Sequence, residues 1–216
     1  MIKVENITKT YGNIEALKDV SLEVESGEFI SIVGPSGSGK TTLLNVVAGL
    51  LTPTEGEVIV DGVSLYKLNL KQRIAFRRKN FGFIFQTFNL LSYLTAIENV
   101  EIPLYLAGAK SADQKPVATE LLDRVGLKER LSHLPSELSI GEQQRVAIAR
   151  ALANNASVLL ADEPTGNLDT RTGEEFMRDI KRLNAEGVTI LLVTHNLEMA
   201  KFANRQLRII DGRLAS

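Results

Sequence analysis

The sequence contains no cysteine, so disulfide bridges and thiolate metal sites are excluded. It has no apolar run approaching the roughly 18 to 20 residues that a membrane-crossing helix requires. Its start, Met1-Ile2-Lys3-Val4-Glu5, lacks the long h-region of a signal peptide. The last two absences predict a protein that stays in the cytoplasm, whereas the lack of cysteine does not fix the compartment. Charge of one sign is not in excess either, because 25 Lys and Arg stand against 26 Asp and Glu for a formal net charge of -1. That balance predicts no nucleic-acid partner. Internal repeats and low-complexity tracts are missing as well. What is present is ordinary for a globular chain: 216 residues, 44% hydrophobic and 24% charged, enough for a sizeable core in one domain with an inserted lobe.

Residues 34–42 read Gly34-Pro35-Ser36-Gly37-Ser38-Gly39-Lys40-Thr41-Thr42 and fill every fixed position of the phosphate-binding pattern GxxxxGK[ST]. The apolar run Phe29-Ile30-Ser31-Ile32-Val33 precedes them and Leu43-Leu44-Asn45-Val46-Val47 follows, which is the strand, loop and helix order the pattern needs. A triphosphate requires several N–H donors aimed at it from short range. Gly34, Gly37 and Gly39 remove the Cβ atoms that would keep the backbone away, and the following helix adds its partly positive N-terminus. Lys40 reaches the β and γ phosphates and the Thr41 hydroxyl ligates Mg²⁺. Thr42 offers one more donor.

The rest of the chain predicts an α/β fold: a P-loop (RecA-like) core with an antiparallel β-subdomain and an inserted α-helical subdomain. Ile2 to Asn6 predicts a short strand, and Val20, Leu22 and Val24 alternate with polar residues at the period of a half-buried one. Tyr11 is placed in the loop between them. Leu43, Val47, Leu50 and Leu51 keep helical spacing, and Val58-Ile59-Val60 enters a hairpin turn at Asp61-Gly62. Lys71, Arg73, Arg77, Arg78 and Lys79 surround Ile74-Ala75-Phe76, as on the solvated face of an amphipathic helix. Residues 1–86 and 154–216 are assigned to the core with its β-subdomain, and 87–153 to the helical subdomain. Helices are expected over 97–106, 117–125 and 143–152, with a mobile loop at 108–113. Thr170 or Thr172 is expected to cap the helix that carries Phe176, Met177, Ile180 and Leu183. His133, in a Ser-His-Leu-Pro loop, is read as a surface residue.

In open α/β sheets ligands sit beyond the carboxyl ends of strands. Three polar strand ends meet that rule: Gln86 after Phe81-Gly82-Phe83-Ile84-Phe85, Asp162-Glu163 after Val158-Leu159-Leu160-Ala161, and His195 after Val193-Thr194. Asp162 is assigned to Mg²⁺, usually through water. Glu163 diverges from it, as neighbours on an extended chain do, and is placed to polarise the attacking water. The His195 imidazole, neutral or protonated, is placed to hydrogen-bond the γ-phosphate.

Leu138-Ser139-Ile140-Gly141-Glu142-Gln143-Gln144-Arg145 resembles the LSGGQ signature of ABC-type ATPases, and it precedes Asp162-Glu163-Pro164-Thr165-Gly166-Asn167-Leu168-Asp169 as that family requires. The resemblance spans the chain. It implies that Tyr11 is the aromatic that stacks on adenine, and that Gln86 is the Q-loop glutamine sensing Mg²⁺ and water. Glu163 resembles the catalytic base, Asn167-Leu168-Asp169 the D-loop and His195 the switch histidine. Ser139, Gly141 and Glu142 would then face the γ-phosphate of ATP held by a second copy, so that two chains meet head to tail. Two positions depart from the pattern. Ile140 replaces the third-position glycine, and because a β-branched residue disfavours positive φ, a backbone that is less adaptable or of different shape is expected there. Glu142 replaces the glutamine and puts a charge near the composite site.

Phe88-Asn89-Leu90, Leu94-Thr95-Ala96-Ile97-Glu98-Asn99-Val100 and Ile102-Pro103-Leu104 resemble the branch that serves lipoprotein release, macrolide export and the related cell-division pair. The length and the lack of a C-terminal domain agree with it. The function implied is an ATP-hydrolysing subunit at the inner face of the cell membrane, held there by an integral-membrane permease subunit. A mechanical switch that controls a membrane partner without transport is the alternative. A soluble ATPase acting on DNA or ribosomes is disfavoured, since neither a long coiled-coil insertion nor a second ATPase half is present.

Overall fold

Alternation between the two faces of each strand decides the architecture. In the computed structural model, which describes residues 1–215, β1 (Ile2–Tyr11) and β2 (Ile14–Val24) form an antiparallel ribbon. Ile2, Val4 and Ile7 turn inward from one strand and Val20, Leu22 and Val24 from the other. β1 continues past Asn6, because Asn6 and Asp19 take left-handed φ of 49° and 52° and their side chains bond at 2.8 Å. The resulting bulge bends the ribbon without ending its pairing. Tyr11 is therefore the last residue of a strand and not part of a loop.

β3 (Phe29–Val33) is buried along its whole length and passes through the glycine loop into α1 (Lys40–Val47). Gly49, at φ 66°, closes α1 with its N–H on the Val46 carbonyl, a left-handed exit that glycine permits. The helix is thus shorter than the apolar spacing suggests, and Leu50 lies beyond it, 49% exposed. β4 (Glu55–Val60) and β5 (Val63–Ser64) make a hairpin over Asp61 and Gly62, whose φ of 48° and 79° suit a tight primed turn. α2 (Leu70–Asn80) buries none of its residues, so it is solvated without a fully buried stripe. β6 (Phe81–Phe85) follows.

α3 (Ala96–Leu106), α4 (Ser111–Arg124) and α5 (Ile140–Leu152) pack on one another through Val100, Leu104, Ala118, Leu122 and Val146. α4 begins at Ser111, so Ser111, Ala112 and Asp113 form its first turn and not a loop; Asp113 there complements the helix dipole. Asn99 is fully buried on α3 and holds the chain that leads into it. Its Oδ1 accepts from the Leu91 N–H at 2.8 Å, and its Nδ2 donates to the carbonyls of Leu94 and Thr95, each at 3.0 Å. Asn99→Ala strands these buried groups and is expected to lower stability by about 2 to 4 kcal/mol. Urea denaturation measures it; a loss within about 0.5 kcal/mol, the range of an ordinary surface change, would show that the network contributes little.

β7 (Val158–Asp162), α6 (Thr170–Ala185), β8 (Thr189–Thr194), α7 (Leu197–Ala200), β9 (Arg205–Ile210) and β10 (Arg213–Ala215) complete the described chain. The larger sheet has the order β10-β9-β3-β8-β7-β6, parallel except for β10; the smaller, β2-β1-β4-β5, is antiparallel. Ile30, Ile32, Leu160, Leu191 and Val193 face α1 and the smaller sheet. Phe29, Leu159, Ile190 and Leu192 face the other way, onto Ile148 of α5 and Phe176, Met177 and Ile180 of α6. Both faces are covered, which is why these strands read as continuous apolar runs. Parallel pairing also brings the carboxyl ends of β3, β6, β7 and β8 to one edge of the sheet.

Candidate functional site

The glycine loop sits between β3 and α1, and backbone approach explains two of its glycines. A Cβ at Gly34 would overlap the carbonyl oxygen of Ile209, and one at Gly39, where φ is 102°, would stand 2.5 Å from the Ala16 carbonyl oxygen. Gly37 meets nothing and is required by its φ of 77°. Pro35, Ser36, Gly37, Gly39, Lys40, Thr41 and Thr42 line a cavity of about 620 Å³ together with Ala16, Gln86, Glu163 and His195. Gly34 and Ser38 are not part of that lining. Ser38 is buried, and its N–H is directed to the Pro35 carbonyl at 3.2 Å.

Lys40 is buried, with Nζ donating to the carbonyls of Gly34 and Pro35 at 2.9 Å each. Glu163 Oε1 is 3.8 Å away. The Thr41 hydroxyl donates to Asp162 Oδ1 at 2.9 Å. Burial pushes the Asp162 carboxyl above its ordinary range, and the Thr41 hydrogen bond opposes that shift. These two oxygens are hard donors of the kind a magnesium ion takes beside phosphate. No group of three His, Cys, Asp or Glu fit to hold a metal occurs among the described residues, so any such ion depends on the phosphates and water as well.

Glu163 takes a left-handed φ of 47°, uncommon for a residue with a Cβ and frequent at functional turns. The turn aims its carboxylate at the end of β8, where Oε2 lies 2.9 Å from His195 Nδ1 and accepts the His195 N–H at 3.2 Å. An ionised carboxylate only accepts, so against that form of Glu163 it is Nδ1 that donates. For His195 to donate to a phosphate as well, Nε2 must also be protonated. Gln86 donates from Nε2 to Asn167 Oδ1 at 3.2 Å, and a Cβ at Gly166 would press on that amide at 2.7 Å. The link to Asn167 and the place of Ala16 in the lining were not evident from the sequence. An alanine on a strand carries no chemical signal.

Other expected positions fall elsewhere. Tyr11 does not line the cavity; it is 49% exposed, with Lys9 Nζ 5.1 Å from its ring centroid. Asp169, rather than Thr170 or Thr172, caps α6: Oδ1 accepts from the Thr172 N–H at 3.0 Å and Oδ2 from its hydroxyl at 2.6 Å. The Thr172 hydroxyl and N–H hold the Asp169 carboxyl below its ordinary range. His133 is partly buried; its carbonyl accepts from the Ala96 N–H at 2.8 Å.

Ser139 is the N-cap of α5, and Ile140 is its first helical residue, 55% exposed. No positive φ occurs at Ile140. A right-handed first turn is open to a β-branched residue, so Ile140 sits there without backbone strain. Glu142 folds back into a capping box: its Oε2 accepts from the Ser139 N–H at 2.8 Å and its N–H donates to Ser139 Oγ at 3.2 Å. The Ser139 N–H, the Arg130 guanidinium and the Ser139 hydroxyl, in that order, hold the Glu142 carboxyl down to about 2. Its charge is therefore paired with that of Arg130. Ser139, Gly141 and Glu142 are absent from the phosphate-loop cavity; Gly141 borders a small separate recess with Arg145, Thr172 and Glu175.

A parallel sheet with the glycine loop at one strand end and Asp162, Glu163 and His195 at its neighbours defines the phosphate-loop nucleotide-binding class. Within that class the chain belongs to the ABC transporter family, whose model matches residues 17–166. It is 46% identical to the lipoprotein-releasing system ATP-binding protein LolD of Bacteroides fragilis, over 99% of this chain and 100% of that one. It is 51% identical to the macrolide export ATP-binding/permease protein MacB of Syntrophobacter fumaroxidans, over 98% of this chain and 31% of the longer relative. Among solved structures it resembles the dimeric ATP-binding cassette MJ0796 of Methanocaldococcus jannaschii, bound to ADP and Pi in a post-hydrolysis state. That likeness has a TM-score of 0.89 at 45% identity and covers 100% of this chain and 97% of the other. Among the described residues no helix is long and apolar enough to cross a membrane.

Proposed function

We propose that the protein is the ATP-binding and ATP-hydrolysing subunit of an ABC transporter. Two copies work head to tail on a separate integral-membrane permease at the cytoplasmic face of the cell membrane. One observation carries this reading: Lys40, Thr41, Gln86, Glu163 and His195 converge on one cavity, while Ser139 and Gly141 open a different surface of the same chain. A copy related by a two-fold axis brings the second surface over the first, and the reverse, in one step. The printed names of LolD and MacB, one an ATP-binding protein of a releasing system and one joined to a permease, support the transporter reading. The post-hydrolysis dimer of MJ0796 supports the pairing.

In this reading the glycine loop and Lys40 bind the phosphates, and the Glu163 carboxylate takes the proton of the attacking water at Oε1. His195 holds Oε2 and so fixes the side-chain rotamer. Thr41, Asp162 and Gln86 would hold Mg²⁺, which neutralises charge on the β and γ oxygens. Tyr11 stacks on adenine from the strand next to Ala16. Asp169 sits at the dimer seam, where its capped α6 lies next to Gly141. A groove of about 330 Å³ between β6, α2, α3 and α5, whose floor of Phe81, Phe83 and Phe85 is joined by Arg77, Arg78 and Arg150, is the proposed seat of the permease.

Chelation of divalent metal is expected to abolish hydrolysis, and added Mg²⁺ to restore it. Asp162→Asn keeps the shape but removes the charge, and should raise the Mg²⁺ concentration for half-maximal ATPase activity by roughly 10- to 100-fold. An unchanged Mg²⁺ requirement would remove Asp162 from the metal site.

A further inference from the structure

An anion gains at the start of a helix only if the donors there are uncommitted and no negative charge stands among them. At the start of α5 the Glu142 N–H is directed to Ser139 Oγ at 3.2 Å and the Gln143 N–H to the Ser139 carbonyl at 2.9 Å. The N–H groups of Ile140 and Gly141 have no acceptor within the helix. The Ser139 hydroxyl is itself engaged with the Glu142 carboxylate. Two backbone donors thus remain uncommitted in one turn, and the same turn carries a carboxylate. Both oxygens of that carboxylate are engaged: Oε2 by the Ser139 N–H at 2.8 Å, and Oε1 by Arg130 Nε at 2.9 Å. Arg130 does not belong to α5. It ends a separate short turn, Lys128–Arg130, so the fold delivers a cation to the one signature residue that carries a charge.

The geometry points to Arg130 as a positioning residue of the composite ATP site, which pins the Glu142 carboxylate in its capping box and cancels its charge where the partner copy presents a γ-phosphate. This rests on the head-to-tail reading above. Without Arg130, Oε1 loses its partner. The carboxylate then repels the phosphate across an interface from which closure excludes water, where charges act strongly.

The test measures ATP-dependent dimerisation of the full chain by sedimentation, in a Glu163→Gln background that holds ATP unhydrolysed. Arg130→Met should raise the ATP concentration for half-maximal dimerisation about tenfold or more. Adding Glu142→Gln should return it to within about threefold of the parent, because an amide keeps the acceptor of the capping box without the charge. Thermal melting without nucleotide reports separately on the fold, which should change little at a residue whose side chain is 45% exposed. An unshifted midpoint in Arg130→Met, or a shift that Glu142→Gln leaves in place, overturns the proposal and assigns Arg130 to packing. If the Glu163→Gln parent itself stays monomeric with ATP, the head-to-tail reading fails and this proposal fails with it.

Discussion

Replacing Glu163 with glutamine is expected to slow ATP hydrolysis by about 10² to 10⁴ while leaving ATP binding within a few-fold of the parent. Glutamine preserves size and rotamer and can still accept from His195 Nδ1, now 2.9 Å from Oε2. It cannot take a proton from water. The groups assigned to the phosphates are untouched: Lys40 stays buried on the carbonyls of Gly34 and Pro35, and the loop glycines are set by Ile209, Ala16 and their own φ. Removing a carboxylate 3.8 Å from Lys40 also removes a negative charge beside the γ-phosphate, so affinity has no electrostatic reason to fall. Because ATP then persists, dimers should accumulate with ATP and dissociate with ADP. Radiolabelled phosphate release measures the rate and gel filtration the dimer. Hydrolysis at the parental rate would take the role of base away from Glu163.

How much of this site could be read without a structure depends on where its determinants lie. The phosphate loop is local: Gly39-Lys40-Thr41 and the flanking apolar runs already specify strand, loop and helix. Asp162, Glu163 and His195 were legible one step further on, because parallel strands bring their polar ends to one edge. Roles set by tertiary approach were not legible. The need for glycine at position 34 comes from Ile209, far along the chain. The left-handed φ of Glu163, which turns its carboxylate toward His195, leaves no trace in the residue type. Local competition misled in other places. Asp169, Thr170 and Thr172 are all good helix caps, and Asp169 takes the position by using Thr172 as its partner. The bulge at Asn6 and the glycine exit at Gly49 changed element lengths without changing the fold. Glu142 looked like an added charge because its partner, Arg130, lies outside the motif.

The strongest test of the composite site uses two inactive variants together. Lys40→Ala removes the buried ammonium assigned to the phosphates and leaves the start of α5 intact. Ser139→Arg fills the start of α5 with a long cation and leaves the phosphate loop intact. Each alone is expected to lower ATPase activity by about 10² or more, the scale of losing a group that stabilises charge in the transition state. In a mixed dimer of two-fold geometry, one site combines both defects. The other combines the intact loop of the Ser139 variant with the intact signature of the Lys40 variant. Random pairing makes half of the dimers mixed, so an equal mixture should recover up to about a quarter of the parental activity if the sites act independently. Because Ser139 and Gly141 lie outside the phosphate-loop cavity of their own chain, a site complete within one chain predicts no recovery. A mixture no more active than its components would therefore count against head-to-tail pairing, whereas activity per milligram above that of either variant alone would show that each site is built from two copies.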